Sequence, residues 1–144
     1  MIRPTLVADA SVVVKWLLPE PDQPAALGIQ KMYQDEKLDV VAPHLLVAEA
    51  SNVLWKRVRR GDLTGREAER CFEQLLRDCP ILLDSPAVSL SSLHLAVAHG
   101  QSVYDCLYLA LALEQRCDLV TADRRFFDAV AKAFPCVKLL KEFG

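Results

Sequence analysis

The chain has 144 residues, 52% of them hydrophobic and 25% charged, with a formal net charge of −2. That length suits one compact core burying roughly 70% of the unfolded surface and is short for two, so residues 1–144 are read as a single domain. The small negative charge excludes a general attraction to nucleic acid; a polyanion would have to bind through a local basic patch or a bound metal.

Thr5 to Ala8 reads as a short buried strand that runs into an apolar helical turn, Val12 to Leu18, ended by Pro19 and Pro21. Asp22 is placed to cap a helix through about Glu36, and Val40 to Ala42 makes a second strand. Pro43 opens a long helix to about Arg60, which Gly61 stops. Thr64 and Glu67 have capping-box spacing for a helix to about Arg77, and Ile81 to Leu83 follows as a third strand. Ser85-Pro86 starts a helix closed by Gly100, Ser102 caps another to about Arg116, and Leu119 to Thr121 makes a fourth strand. Asp123 caps the next helix, Phe134-Pro135 breaks it, and Val137 to Leu140 is a fifth strand. Short apolar strands alternating with helices imply an α/β fold: a short parallel central sheet of about five strands, flanked by helices and joined by right-handed crossovers.

No apolar stretch approaches the roughly 20 residues of a membrane span, and Met1-Ile2-Arg3-Pro4 lacks the regions of a signal peptide, so a cytoplasmic protein with no membrane partner is expected. The cysteines at 71, 79, 106, 117 and 136 form no C-x-x-C pair and are odd in number, which reads as reduced, mostly buried thiols. The three histidines, His44, His94 and His99, read as structural or exposed, and Trp16, Trp55 and Tyr108 fit core positions.

Four carboxylates stand in apolar company: Asp9 after Leu6-Val7-Ala8, Glu49 within Leu45-Leu46-Val47-Ala48-Glu49-Ala50, Asp105 in Val103-Tyr104-Asp105-Cys106-Leu107, and Asp123 after Leu119-Val120-Thr121-Ala122. Capping explains Asp9, Asp105 and Asp123 in part, and a solvated helix face is the ordinary account of Glu49. Yet Asp105 is the one acidic residue between Ser102 and Leu113, in a helix apolar nearly all round, and Glu49 has Val53 where an i,i+4 basic partner would stand. In a parallel sheet ligands gather outside the carboxyl ends of the strands, where Asp9 and Asp123 fall. Two carboxylates about 4 Å apart repel by roughly 4 kcal/mol at an effective dielectric of 20, so four sharing a pocket call for a cation. A divalent metal between carboxylates is the usual starting point for phosphodiester hydrolysis. The cluster Lys56-Arg57-Arg59-Arg60 fits equally a solvated helix C-terminus and a basic patch.

In family order, the stretches Val7-Ala8-Asp9-Ala10-Ser11-Val12, Pro43 to Leu54, Tyr104 to Ala110 and Leu119 to Phe126 resemble the PIN-domain nucleases, and among them the VapC-type toxins of toxin–antitoxin pairs. The resemblance spans nearly the whole chain, with Cys106 standing where Ala is common. It implies a PIN-like domain that hydrolyses RNA, with Asp9, Glu49, Asp105 and Asp123 as the acidic metal and catalytic site. Ser11, Asn52 and Thr121 are implied as supporting polar groups, Mg²⁺ or Mn²⁺ as cofactor, and a cognate antitoxin and a second copy of the chain as partners. Two alternatives stay open: a PIN nuclease of RNA maturation or of structured nucleic acid, and a non-catalytic module whose acidic pocket receives a partner's basic side chain.

Overall fold

The computed structural model describes residues 2–143. Strands β1 (Thr5–Ala8), β2 (Asp39–Ala42), β3 (Ile81–Leu82), β4 (Asp118–Thr121) and β5 (Val137–Leu139) form one parallel sheet in the order β3-β2-β1-β4-β5. Successive strand residues face opposite sides, and in β1, β2 and β4 the last three are all buried, so both faces of the sheet are covered. That is why these segments read as continuous apolar runs.

The covering elements are α1 (Ala10–Val13), which runs on as a 3₁₀ turn over Val14–Trp16, α2 (Gln23–Gln34), α3 (Leu45–Arg59), α4 (Gly65–Arg77), α5 (Pro86–His99), α6 (Val103–Gln115) and α7 (Arg124–Val130). Their buried Leu46, Leu75, Leu109, Leu111 and Val130 meet Val7, Val40, Leu119 and Val120 of the strands in one core. No helix among the described residues is long and apolar enough to cross a membrane.

The local signals act as their chemistry demands. The Thr64 hydroxyl accepts from Glu67 N–H at 3.1 Å while the Glu67 carboxylate accepts from Thr64 N–H at 2.9 Å, completing the capping box of α4. Gly61 and Gly100 end α3 and α5 at φ 83° and 65°, conformations that cost a residue with a Cβ. From β1 the chain moves outward through β2 to β3, then crosses back to β4, so β1 and β4 flank the point where strand order reverses and a crevice opens at their carboxyl ends.

Several expectations need correction. Asp22 precedes α2 but makes no side-chain cap, because its φ of 63° is left-handed where an N-cap needs extended backbone; Gln23 ties down the loop, donating to the carbonyls of Lys15 and Leu18 at 3.0 Å each. Trp55 is 51% exposed at the surface of α3, with Arg59 stacked 5.0 Å from its ring centroid. Of the free cysteines only Cys106 is buried, the other four being half-buried. The third and fifth strands each stop one residue short: Leu83 N–H still reaches the Ala42 carbonyl at 2.9 Å, whereas Leu140 turns into a 3₁₀ turn.

Leu119→Ala, which empties a fully buried position in β4, is expected to cost about 2–5 kcal/mol. Thr64→Ala is expected to cost about 1 kcal/mol. Urea unfolding midpoints at unchanged m-value measure both.

Candidate metal centre

The crevice between the ends of β1 and β4 is a cavity of about 390 Å³. Its walls include Asp9, Glu49, Asp105 and Asp123, supplied by four different segments of the chain. Ser11 and Asn52 line it as well. Thr121, fully buried, stands behind Asp9.

Asp9 follows the last residue of β1 and is held on both oxygens. The Ser11 hydroxyl donates to Oδ1 and the Thr121 hydroxyl to Oδ2, each at 2.5 Å, and Val12 N–H reaches Oδ1 at 3.3 Å. The helix cap that accounts for Asp9 in sequence terms is therefore made, and the same carboxylate also faces the cavity. Ser11 accepts in turn from Ala122 N–H at 2.8 Å, and Thr121 from Asp123 N–H at 3.0 Å. These bonds lock the turn after β1 to the turn after β4.

Asp123 caps α7, accepting from Phe126 N–H at 3.1 Å. Asp105 sits in the first turn of α6, where Ser102 accepts its N–H at 3.1 Å, so half of the capping arrangement forms. Glu49 projects from α3 beside Asn52 and Lys56, while Leu46, Ala50 and Leu54 of the same helix are buried in the core. Its Oε1 accepts the Tyr108 hydroxyl at 2.5 Å. Tyr108 fits the core by sequence, and it is buried there, but it also lines the cavity, with its hydroxyl on Glu49. The overlooked signal was its position three residues after Asp105, on the same helical face.

Electrostatics ties the acids together. Burial, opposed by the Ser11 and Thr121 bonds, pushes the Asp9 carboxyl up to about 6, with the charge of Asp105 adding to the rise. Burial also raises Glu49 and Asp105; the charge of Asp105 acts on Glu49, and that of Asp123 on Asp105. Asp105 is thus the member that senses or is sensed by each of the others. Among the described residues, no three His, Cys, Asp or Glu side chains form a ready-made metal-binding group.

The donor chemistry fits a hard cation. The cavity wall offers carboxylate, hydroxyl and amide oxygens, and among the described residues it includes neither histidine nor cysteine. Five carboxylates, counting Glu20, face two ammonium groups, Lys15 and Lys56, which leaves negative charge uncompensated. Lys15 and Glu20 carry no mark in the sequence, because Lys15 lies inside an apolar run and Glu20 between two prolines.

The PIN domain family matches residues 6–133. This chain belongs to the PIN-domain family. Over 135 residues this PIN protein is 34% identical to ribonuclease VapC3 of Pyrobaculum aerophilum, covering 92% of the chain and 96% of that relative. Over 104 residues it is 32% identical to ribonuclease VapC1 of Mycobacterium tuberculosis, covering 69% and 74% respectively. Among solved structures, PAE2754 of Pyrobaculum aerophilum superposes with a TM-score of 0.71 at 26% identity, covering 97% of this chain and 93% of that one. The resemblance to VapC-type PIN proteins seen in the sequence motifs thus extends over the whole fold.

An unfolded aspartate titrates near 3.8 and Asp9 in the fold near 6, so the folded chain holds this proton more tightly. Without a bound cation, Asp9 therefore adds stability as pH falls from neutral through 6, with no further gain below the unfolded value. Asp9→Asn is expected to raise the melting temperature in EDTA at neutral pH, by the equivalent of about 1–3 kcal/mol, and the difference from wild type is expected to vanish below about pH 4. Calorimetric scans across that pH range check this.

Proposed function

We propose that this PIN protein is a Mg²⁺- or Mn²⁺-dependent endoribonuclease that acts as the toxin of a VapBC-type pair. One observation carries the reading: Asp9, Glu49, Asp105 and Asp123 meet on a single cavity at the point where strand order reverses, in a chain that matches VapC ribonucleases along nearly its full length. The same four carboxylates are the residues proposed to hold the metal and to carry catalysis.

When bound there, a divalent ion supplies Lewis acidity, making water a stronger nucleophile and stabilising charge on the phosphate under attack. The chain's own groups prepare the site. Ser11 and Thr121 keep Asp9 oriented, and their donated hydrogen bonds favour its charged form against the burial that opposes it. Tyr108 fixes Glu49 in the same way. The titratable side chains lining the cavity are carboxylates, Lys15, Lys56 and Tyr108, and among the described residues no histidine joins them. Attack by water that breaks the bond from phosphorus to the 3′-oxygen, which departs and takes up a proton, leaves a 5′-phosphate and a 3′-hydroxyl.

An antitoxin and a second copy of the chain are the proposed protein partners. Supporting this, Leu90, Leu93 and Val97 lie exposed on α5 at i, i+3 and i+7, and Trp55 is exposed beside an apolar groove between α3 and α4. The solved toxin–antitoxin complex from Klebsiella pneumoniae shares this fold with a TM-score of 0.64 at 16% identity.

Purified free of partner, the protein is expected to cleave RNA with Mg²⁺ or Mn²⁺ and to stop in EDTA; cleavage that persists in chelator overturns the metal dependence. Asp105→Asn is expected to reduce cleavage to background without lowering the melting temperature, since like-charge repulsion is relieved. An Asp105→Asn protein cleaving at the wild-type rate would remove the assignment of this cavity.

A further inference from the structure

The acidic cavity has one basic wall. Lys15 is only 7% exposed, yet it lines the cavity instead of reaching for solvent. A buried ammonium group is costly unless held by opposite charge. Its Nζ lies 3.2 Å from Glu20 Oε1, and the other oxygen of Glu20 takes Arg57 Nη2 at 2.5 Å. The Lys15 backbone is pinned as well, its carbonyl accepting from Gln23 at 3.0 Å. This lysine is fixed in place, with donor capacity left beyond its bond to Glu20.

From Lys15 the positive charge continues outward. Lys56 lines the same cavity and also a shallow depression of about 270 Å³ that it shares with Arg59 and Arg60. These three side chains occupy just over one turn at the C-terminal end of α3, and all three are exposed. A polyanion approaching a protein of net charge −2, at a cavity walled by five carboxylates, is repelled unless cations lie along its path. The side of the cavity bounded by Lys15 and Lys56 offers that path.

We propose that Lys15, Lys56, Arg59 and Arg60 form a track for the phosphates of a single RNA strand, Lys15 being the inner anchor that seats a phosphate beside the carboxylates. Glu20 and Arg57 act as positioning residues that hold the Lys15 ammonium group in register. The inference rests on the nuclease reading above and adds to it the direction from which the strand enters, along the C-terminal end of α3. The contacts are to phosphate, so the track governs affinity and salt dependence and leaves base preference to other groups.

The test uses a short fluorescein-labelled single-stranded RNA of mixed sequence, titrated in a salt series into the full chain carrying Asp105→Asn to suppress cleavage. Adding Lys15→Met is expected to weaken binding about tenfold. It is also expected to make the slope of log K against log salt shallower by about 0.7, the value for one lost phosphate contact on a single strand. Lys56→Ala and Arg60→Ala are each expected to flatten the slope similarly, and Lys15→Arg to restore it.

A purely structural role for Lys15 would lower the melting temperature of Lys15→Met and leave the salt slope unchanged, which overturns its part as anchor. If Lys15→Met does not fold, the exposed Lys56→Ala and Arg60→Ala decide the question alone. Wild-type affinity and slope in those two overturn the track. So does displacement of the RNA by poly-glutamate as effectively as by unlabelled RNA, which marks a surface for acidic protein. The two readings fail separately: wild-type chain that cleaves RNA while every track variant binds normally rejects the track alone. Wild-type chain that binds RNA through the track but never cleaves it rejects the nuclease.

Discussion

The pairing of β1 with β4 is the constraint on which the rest of the structure depends. Leu6, Val7 and Ala8 align with Asp118, Leu119 and Val120, and the bond from Asp9 N–H to the Val120 carbonyl, at 3.3 Å, extends the contact one residue past the strand. Asp9 and Asp123 lie more than a hundred residues apart in the chain, and this ladder makes them neighbours. It works because both strands are apolar on both faces and can be satisfied only in the middle of a covered parallel sheet. Once they sit there, chain reversal opens the crevice at their carboxyl ends without further design.

The crevice is held open against its own electrostatics. Burial raises Asp9, Glu49 and Asp105 from their ordinary values, and the charges of neighbouring acids add to the rise. Hydroxyl donors from Ser11, Thr121 and Tyr108 partly offset that cost. A fold selected for stability alone would place apolar groups here, since removing charge from a buried cluster is commonly neutral or favourable. Keeping five carboxylates and two ammonium groups around one cavity is stability given up for binding, which is the usual signature of a functional site. Glu20 engages Lys15 and Arg57 together, giving the nearly buried Lys15 ammonium group its opposite charge.

The helices are readable because periodicity, capping and glycine placement all agree locally. Thr64 with Glu67, Gly61, Ser85-Pro86 and Gly100 each act through neighbours three or four residues away, and each does in the fold what its spacing implies. Asp105 stood out because a lone charge in a helix apolar on all sides has no ordinary place to go. Other positions carried no such mark. Trp55 has the composition of a core residue, but whether a ring on α3 is covered depends on how α4 packs beside it, which no local pattern encodes. Tyr108 satisfies the core and the cavity at once, its ring serving one and its hydroxyl the other. Lys15 looked like an interruption of an apolar run, and its meaning lay in Glu20 and Arg57 arriving from elsewhere.

From the order of residues alone came the elements, their parallel arrangement, and the fact that four acids occur where water is scarce, because each of these follows from short-range sterics and from the matching of apolar surface to a covered sheet. Convergence was a different kind of fact. That Asp9, Glu49, Asp105 and Asp123 share one cavity, that Ser11 and Thr121 grip the same carboxylate, and that Lys15 lines the same cavity were decided only when the strands took their order. Charge interactions fall off with distance through space, not along the chain, so their partners are assigned by the tertiary fold.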